Sequence, residues 1–196
     1  LVVFDKVNLS LYDYFVYLNC GVVGPKLPSA HIESPWTYHY TSMLSETVKM
    51  SWLSVNCAVH PHVQSMLFAL DKVGLEIIMS SESVYDCNKA NADMDNDDIQ
   101  NIIQRYEIGM GRAIFGAGYG IASTLGTMGP IELAAKDLDL DLGWCEDIWH
   151  PNALRLFGNG EVPSWEDLVF YKSSRPFILS DIYYELEYGH PENVVI

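Results

Sequence analysis

Glu107 is the candidate catalytic residue of this 196-residue chain, because of its residue type and its setting. It lies in a stretch of helical pattern, Tyr106 to Arg112, with apolar residues on one side. Burial among those residues would suit its carboxylate to general-base chemistry. The alternative is a surface glutamate that pairs weakly along the helix, where such a pair contributes little. The sequence favours neither interpretation over the other.

Asn19 and Gly21 are candidates for contact with a ligand because they follow an apolar and aromatic run. That run, Tyr14 to Leu18, predicts a buried strand that ends in a glycine-containing loop. In open α/β sheets, ligands bind beyond the carboxyl ends of the strands. An ordinary turn between a strand and a loop is the alternative interpretation.

Two further groups have side chains that metals prefer. His60 and His62 stand at the entrance of a predicted strand, followed by Gln64, but a metal would need a third ligand that the spacing does not supply. The acidic tract Asp93 to Asp98 resembles the start of a calcium loop and lacks the glycine and glutamate that such a loop needs. The simpler interpretation of the histidines is hydrogen bonding in a turn or in the core. The simpler interpretation of the acidic tract is a solvated loop that also caps a helix.

A late cluster combines an aromatic ring with charged side chains. The cluster of Trp165, Glu166, Asp167 and Lys172 could contact a sugar and a phosphate, because an aromatic ring stacks on the apolar face of a sugar. Trp165 as an ordinary core residue is the alternative.

The apolar pattern predicts strands that alternate with helices. The predicted strands lie at 14–18, 48–57, 63–70 and 137–142, and the predicted helices at 34–45, 71–79, 99–117 and 165–172. Loops are expected at 88–98 and from Gly126 to Pro130, and the helix at 99–117 is expected to end in a cap between Gly116 and Gly120. This alternation favours an α/β domain with a mainly parallel sheet.

Composition limits the partners. A formal net charge of −15 would repel a phosphate backbone, which argues against nucleic acid. No stretch approaches the roughly 20 apolar residues that cross a bilayer, so we expect a soluble chain without a membrane segment. The four cysteines form no C-x-x-C pair and fix no compartment. The chain begins at Leu1 without a basic n-region, so no signal peptide is expected, and an upstream piece is expected to be missing.

Four segments carry motifs in a familiar order: YFVYLNCGVVGP at 14–25, HVQSM at 62–66, YEIGMGRAIFGAGY at 106–119 and WEDLVFYK at 165–172. Together they resemble glycosyltransferases of the rhamnan-synthesis type and their eukaryotic relatives, which act in polysaccharide synthesis. The resemblance extends over about 12–125 and 163–175. Its second and third segments are the more specific ones.

The resemblance implies a GT-A fold, an α/β fold that binds nucleotide sugars. One domain would span 1–196, partial at its N-terminus and without most of the usual βαβ unit. The implied activity is hexosyl or deoxyhexosyl transfer from a nucleotide-sugar donor to a glycan or other hydroxyl acceptor. Glu107 stands where GT-A enzymes commonly carry the acid that activates the acceptor. The other implied contacts are Asn19, Gly21, His62, Gln64, Arg112 and Lys172 for the donor diphosphate, and Trp165 and Glu166 for the acceptor sugar.

One departure from the family pattern concerns the metal. GT-A enzymes typically hold Mn²⁺ or Mg²⁺ with an Asp-x-Asp pair, and Asn19-Cys20-Gly21 stands at that place here. Asn19 could ligate through its amide but supplies no charge, so a divalent cation as cofactor stays open. The absence of the Asp-x-Asp pair also supports a second hypothesis. In it, the chain is a catalytically inactive relative that binds glycans or scaffolds a synthesis complex. As part of a longer protein, the chain would work in the cytoplasm or the Golgi lumen.

Overall fold

The computed structural model describes residues 8–19, 21–25, 34–56, 61–63, 65–81, 84, 103–126, 129–135 and 169–172. The strands are β1 (Tyr14–Leu18), β2 (Val22–Val23), β3 (Val48–Asn56), β4 (His62–Val63), β5 (Leu67–Asp71), β6 (Gly120–Gly126), β7 (Gly129–Leu133) and β8 (Tyr171–Lys172). The helices are α1 (Tyr38–Thr41), α2 (Lys72–Ser80) and α3 (Gly109–Gly116), with a π-helical turn (Ile103–Ile108) before α3. The expectations for Gln64, the cysteines, 88–98, 137–142, Trp165 and Glu166 lie outside these residues.

The main sheet is mixed. Its strands follow the order β1-β5-β3-β6-β7. A further strand, β4, pairs with the last residues of β3. Among the described strands of this sheet, β3 and β6 are the parallel pair, and the other pairs are antiparallel. The α/β prediction is therefore confirmed, whereas the prediction of a mainly parallel sheet is wrong. Residues 57–66 between β3 and β5 are fewer than the dozen or so that a parallel crossover needs, so the chain returns antiparallel.

Two sequence predictions were wrong about where strands begin and end. The strand expected at 63–70 is split into β4 and β5, with a turn at Ser65 and Met66 between them. The loop expected from Gly126 to Pro130 contains the end of β6 and the start of β7. Short apolar strands joined by tight connections give a weak periodic signal, which explains both errors.

Two predicted helices were also wrong in extent. The helix expected at 34–45 is limited to α1, which begins after Thr37 rather than after Ser34. The helix expected at 165–172 does not include residues 169–172, the part of it that the structure describes. Val169 has a φ of 59°, and residues 171–172 form β8, which pairs with β2. A non-glycine residue at positive φ breaks a right-handed helix.

The third predicted helix ends where expected. Gly118 adopts a φ of 86° after α3. The Gly118 amide donates to the Phe115 carbonyl at 2.9 Å, and the Tyr119 amide donates to the Ile114 carbonyl at 3.2 Å. These two bonds form a Schellman motif, in which glycine accommodates the left-handed backbone without strain.

Different helices cover the two faces of the sheet. Ser51 lies on one face and donates its hydroxyl hydrogen to the Tyr40 carbonyl of α1 at 2.8 Å. Tyr40 itself is fully buried, and this burial raises the pKa of its phenol well above the ordinary value. The other face carries Met50 and Leu70, and α2 lies so close that a methyl group at Gly74 would overlap the Lys49 carbonyl oxygen. We call this second face, covered by α2 and α3, the helix face.

A nearly buried ion pair closes one end of the sheet. Lys49 donates to Asp71 at 2.7 Å and to the Ser45 carbonyl at 2.8 Å. The second carboxylate oxygen of Asp71 accepts from the Gly74 amide at 2.8 Å and so caps α2. We call this the Lys49 end of the sheet. It joins β3, β5 and the first turn of α2.

Candidate functional site

The candidate site lies at the opposite end of the sheet. Leu18 of β1 pairs with Leu67 of β5, and β3 and β6 run in the direction of β1. The carboxyl ends of β1, β3 and β6 therefore meet where β5 begins. Asn19 extends the pairing by one residue, since its amide donates to the Met66 carbonyl at 2.9 Å. We call this the Asn19 end of the sheet.

β1 is an edge strand among the described strands, and this explains one error of the sequence analysis. The strand has the predicted bounds, but it is half exposed rather than buried. It pairs with β5 on one side, so its aromatic residues are only partly covered. Asn19 and Gly21, which follow β1, are half-buried as well.

Asn19 forms a local turn with its own side chain. Its Oδ1 accepts from the Gly21 amide at 2.7 Å, and a methyl group at Gly21 would lie 2.9 Å from that oxygen. Gly21 is thus the residue type that fits this turn. Within the described chain, the remaining side-chain nitrogen of Asn19, Nδ2, donates to no residue. Nδ2 is thus a donor group that the described residues leave available.

Glu107 lies next to the residues that pair with Asn19. Its Oε1 accepts from the Ser65 hydroxyl at 3.1 Å, and Ser65 directly precedes Met66. The carboxylate is half-buried, which fits neither a solvated surface residue nor a core residue. Asn19 and Glu107, 88 positions apart in the sequence, thus form hydrogen bonds with two adjacent residues, Met66 and Ser65.

A local irregularity positions Glu107. The helix begins as a π-helical turn at Ile103–Ile108 and becomes regular at Gly109. A π-helical turn holds an extra residue, which rotates its side chains relative to a regular helix. Gly111 then lets α3 approach β4, since a methyl group there would lie 2.8 Å from the Pro61 carbonyl oxygen.

His62 forms part of the wall at this end of the sheet. It lies on β4 opposite Asn56 and is 3% exposed. Its neighbour Pro61 is covered by α3 at Gly111. The predicted direct contact of His62 with a donor stays a prediction, and burial favours a supporting role for the imidazole.

The two basic candidates differ in their relation to Asn19. β2 and β8 pair antiparallel, which places the backbone of Lys172 opposite Val22, three residues after Asn19. This pairing is close, because a methyl group at Gly24 would lie 2.5 Å from the Val169 carbonyl oxygen. Arg112, in contrast, is exposed on α3 beyond Glu107. The structure therefore brings Lys172 to the loop after β1.

The residues present do not fit a typical GT-A metal site. The Oδ1 of Asn19, the atom that would ligate a cation, already accepts from the Gly21 amide. Within the described part of the chain, no group of three or more His, Cys, Asp or Glu residues could hold a metal. A divalent cation prefers several oxygen ligands including carboxylates, and one amide oxygen does not replace them.

Ser65 belongs to the candidate site although no sequence pattern singled it out. It is part of the HVQSM segment that carries the resemblance. Its partner, however, lies 42 residues away, and no local pattern encodes that contact.

Comparisons of this chain with protein-family models, curated proteins and solved structures found no match. Among the described helices, none has the length and apolar character needed to cross a membrane.

Proposed function

We propose that this chain is a GT-A-like glycosyltransferase that moves a sugar from a nucleotide-sugar donor to a carbohydrate hydroxyl. One observation carries the proposal: the Ser65–Glu107 hydrogen bond lies beside the Asn19 turn. The two residues for which the resemblance implies donor contact and acceptor activation thus share one end of the sheet. Parts of three resembling segments meet there, and the fourth is linked to the first through the pairing of β8 with β2.

Glu107 is the general base in this proposal. Ser65 holds Oε1, so Oε2 can accept the proton of the acceptor hydroxyl. The acceptor oxygen then forms a bond to the anomeric carbon of the donor sugar. The bond between that carbon and the diphosphate oxygen breaks, and the nucleoside diphosphate leaves with the bonding electrons.

Asn19 and one basic residue contact the leaving diphosphate in this proposal. The Nδ2 of Asn19 donates a hydrogen bond to a phosphate oxygen, and the ammonium of Lys172 or the guanidinium of Arg112 offsets its charge. A cationic side chain matters here because the chain as a whole is strongly acidic. No step is assigned to a metal, because the donor set at Asn19 does not fit one.

The test is a transfer assay with UDP-, GDP- and dTDP-sugars and a mixture of oligosaccharide acceptors. Glu107→Gln removes the base while keeping the side-chain shape, and should lower transfer by about 100-fold or more. Glu76→Gln, on the exposed surface of α2, is the matched control and should leave the rate unchanged. Full transfer by the Glu107→Gln variant would rule out the proposed base.

A second candidate function is glycan binding without transfer. It is favoured by Asn19 itself, which places an amide where GT-A enzymes typically carry carboxylates. Titration with nucleoside diphosphates, with and without Mn²⁺, separates the two functions. Saturable nucleotide binding supports the transferase, whereas glycan binding with no response to nucleotide supports the binding module.

A further inference from the structure

Three aromatic side chains form a row across the sheet. The strand register pairs Tyr17 of β1 with Phe68 of β5, and Phe68 with Trp52 of β3. Side chains at paired positions of neighbouring strands point to the same face. The Tyr17 and Phe68 rings stack with centroids 5.0 Å apart and 17° between planes, and the Phe68 and Trp52 rings lie 6.1 Å apart at 30°.

Exposure rises steadily along this row. Trp52 is 0% exposed, Phe68 is 6% exposed and Tyr17 is 50% exposed. Trp52 and Phe68 belong to the core, so they fix the orientation of the Tyr17 ring. The row thus ends in a half-exposed tyrosine whose ring stacks on a core phenylalanine. Holding a ring in place before binding reduces the entropy that a ligand contact costs.

The exposed ring lies beside the candidate site. Tyr17 is two residues before Asn19, and the backbone amide of Asn19 continues the pairing with β5. Because side chains alternate along a strand, Tyr17 and Asn19 lie on the same face. It is the helix face, since Tyr17 and Phe15 share it and Phe15 pairs with Leu70. An aromatic ring and an amide donor therefore occupy one surface at the Asn19 end.

We propose that Tyr17 stacks on the pyranose ring of a neutral carbohydrate acceptor. This inference rests on the proposed function and names the acceptor class for the same site. One face of a pyranose carries C–H groups that pack on an aromatic ring, and its edge carries hydroxyls. Asn19 Nδ2 has two N–H donors, so the one not assigned to the phosphate can donate to such a hydroxyl. The acidic chain disfavours an anionic sugar at an exposed surface.

The test compares two tyrosines of the same strand. Tyr14 is also 50% exposed, but it pairs with Asp71 at the Lys49 end. The probes are the methyl pyranosides of glucose, galactose and rhamnose, with uridine as a stacking ligand that has no pyranose. Binding is measured by saturation-transfer-difference NMR on the folded chain, and unfolding curves confirm that each variant is folded.

Tyr17→Leu should raise the Kd for the bound pyranoside by about tenfold, because the flat ring is lost. Tyr17→Phe keeps the ring and should stay within about twofold of the wild type, as should Tyr14→Leu. Equal weakening by Tyr17→Leu and Tyr14→Leu would overturn the inference. So would a wild-type chain that binds uridine but no pyranoside, or that binds neither.

The two proposals can fail separately. Pyranoside binding that depends on Tyr17, in a chain that transfers no sugar, would support the stacking role and reject the transferase. Transfer that depends on Glu107, with pyranoside binding unchanged by Tyr17→Leu, would reject the stacking role alone.

Discussion

The two ends of the sheet use polar side chains in different ways. At the Lys49 end, Lys49 and Asp71 bind each other, and each also binds a backbone group. At the Asn19 end, Asn19 and Glu107 each make a single side-chain hydrogen bond within the described residues. The first arrangement uses its charges to hold elements together. The second retains donor and acceptor atoms that a ligand could engage, although the same strands build both ends.

The two ends separate polar groups that the fold uses from polar groups that it leaves available. Asp71 ties β5 to α2 and to Lys49, so its loss should disturb the fold. Glu107 accepts a hydrogen bond from one hydroxyl, so replacing Glu107 should leave the fold largely intact. Variants at the Lys49 end should therefore change the free energy of unfolding, and variants at the Asn19 end should change activity.

The largest expected effect is on stability, from Asp71→Ala. This change leaves the Lys49 ammonium without its partner and removes the cap of α2, so the free energy of unfolding should fall by about 3 kcal/mol. Asp13→Ala is the control, because Asp13 pairs with Lys72 at 3.0 Å but its side chain is 83% exposed. Urea unfolding should show a loss of at most about 1 kcal/mol for the control. Equal losses in the two variants would contradict a structural role for Asp71.

An intermediate effect is expected from Ser65→Ala. Without its hydroxyl, the Glu107 carboxylate is no longer held, and transfer should fall by about tenfold while stability changes by less than about 1 kcal/mol. Ser80→Ala is the control, since Ser80 is exposed and bonds the Ile77 carbonyl at 3.1 Å. In the Glu107→Gln background, Ser65→Ala should have little further effect on transfer. An undiminished tenfold loss there would show that Ser65 acts independently of Glu107.

The smallest expected effect is at the C-terminus of α3, which leads into the Lys49 end through Gly120. Gly118→Ala places a side chain at a φ of 86° and should lower the free energy of unfolding by about 1 kcal/mol. At Gly116 the helix is regular and an added methyl group meets no atom within 4 Å. Gly116→Ala should therefore be neutral or stabilising by up to about 1 kcal/mol. The same sign for both variants in thermal unfolding would contradict the assigned backbone geometry.

Sequence patterns predicted the elements with strong local signals. Strand β1, strand β3, helix α2 and the end of α3 at Gly118 all lie where apolar periodicity and a capping glycine placed them. The direction of the strands was not predictable in this way. Whether β5 returns antiparallel depends on the length of the connection after β3, and this was hidden because β4 and β5 were taken as one strand.

The site was predictable as single residues and not as a set. Asn19 was identified from its place at the end of a strand, and Glu107 from its place in the helical pattern. Their shared neighbours, Ser65 and Met66, follow from strand pairing between β1 and β5, which is a long-range contact. The half-exposed ring of Tyr17 was missed because an aromatic run predicts burial, whereas β1 lies at the edge of the described sheet.

The most direct test of the central claim follows backbone amides by NMR during titration with UDP, GDP or dTDP. One of these ligands should shift the amides of Asn19, Gly21 and Ser65 in a saturable way. The amides of Gly74 and Gly120, at the Lys49 end, should keep their positions. Saturable shifts confined to Gly74 and Gly120, or no shift with any of the three ligands, would contradict a nucleotide-sugar site at the Asn19 end.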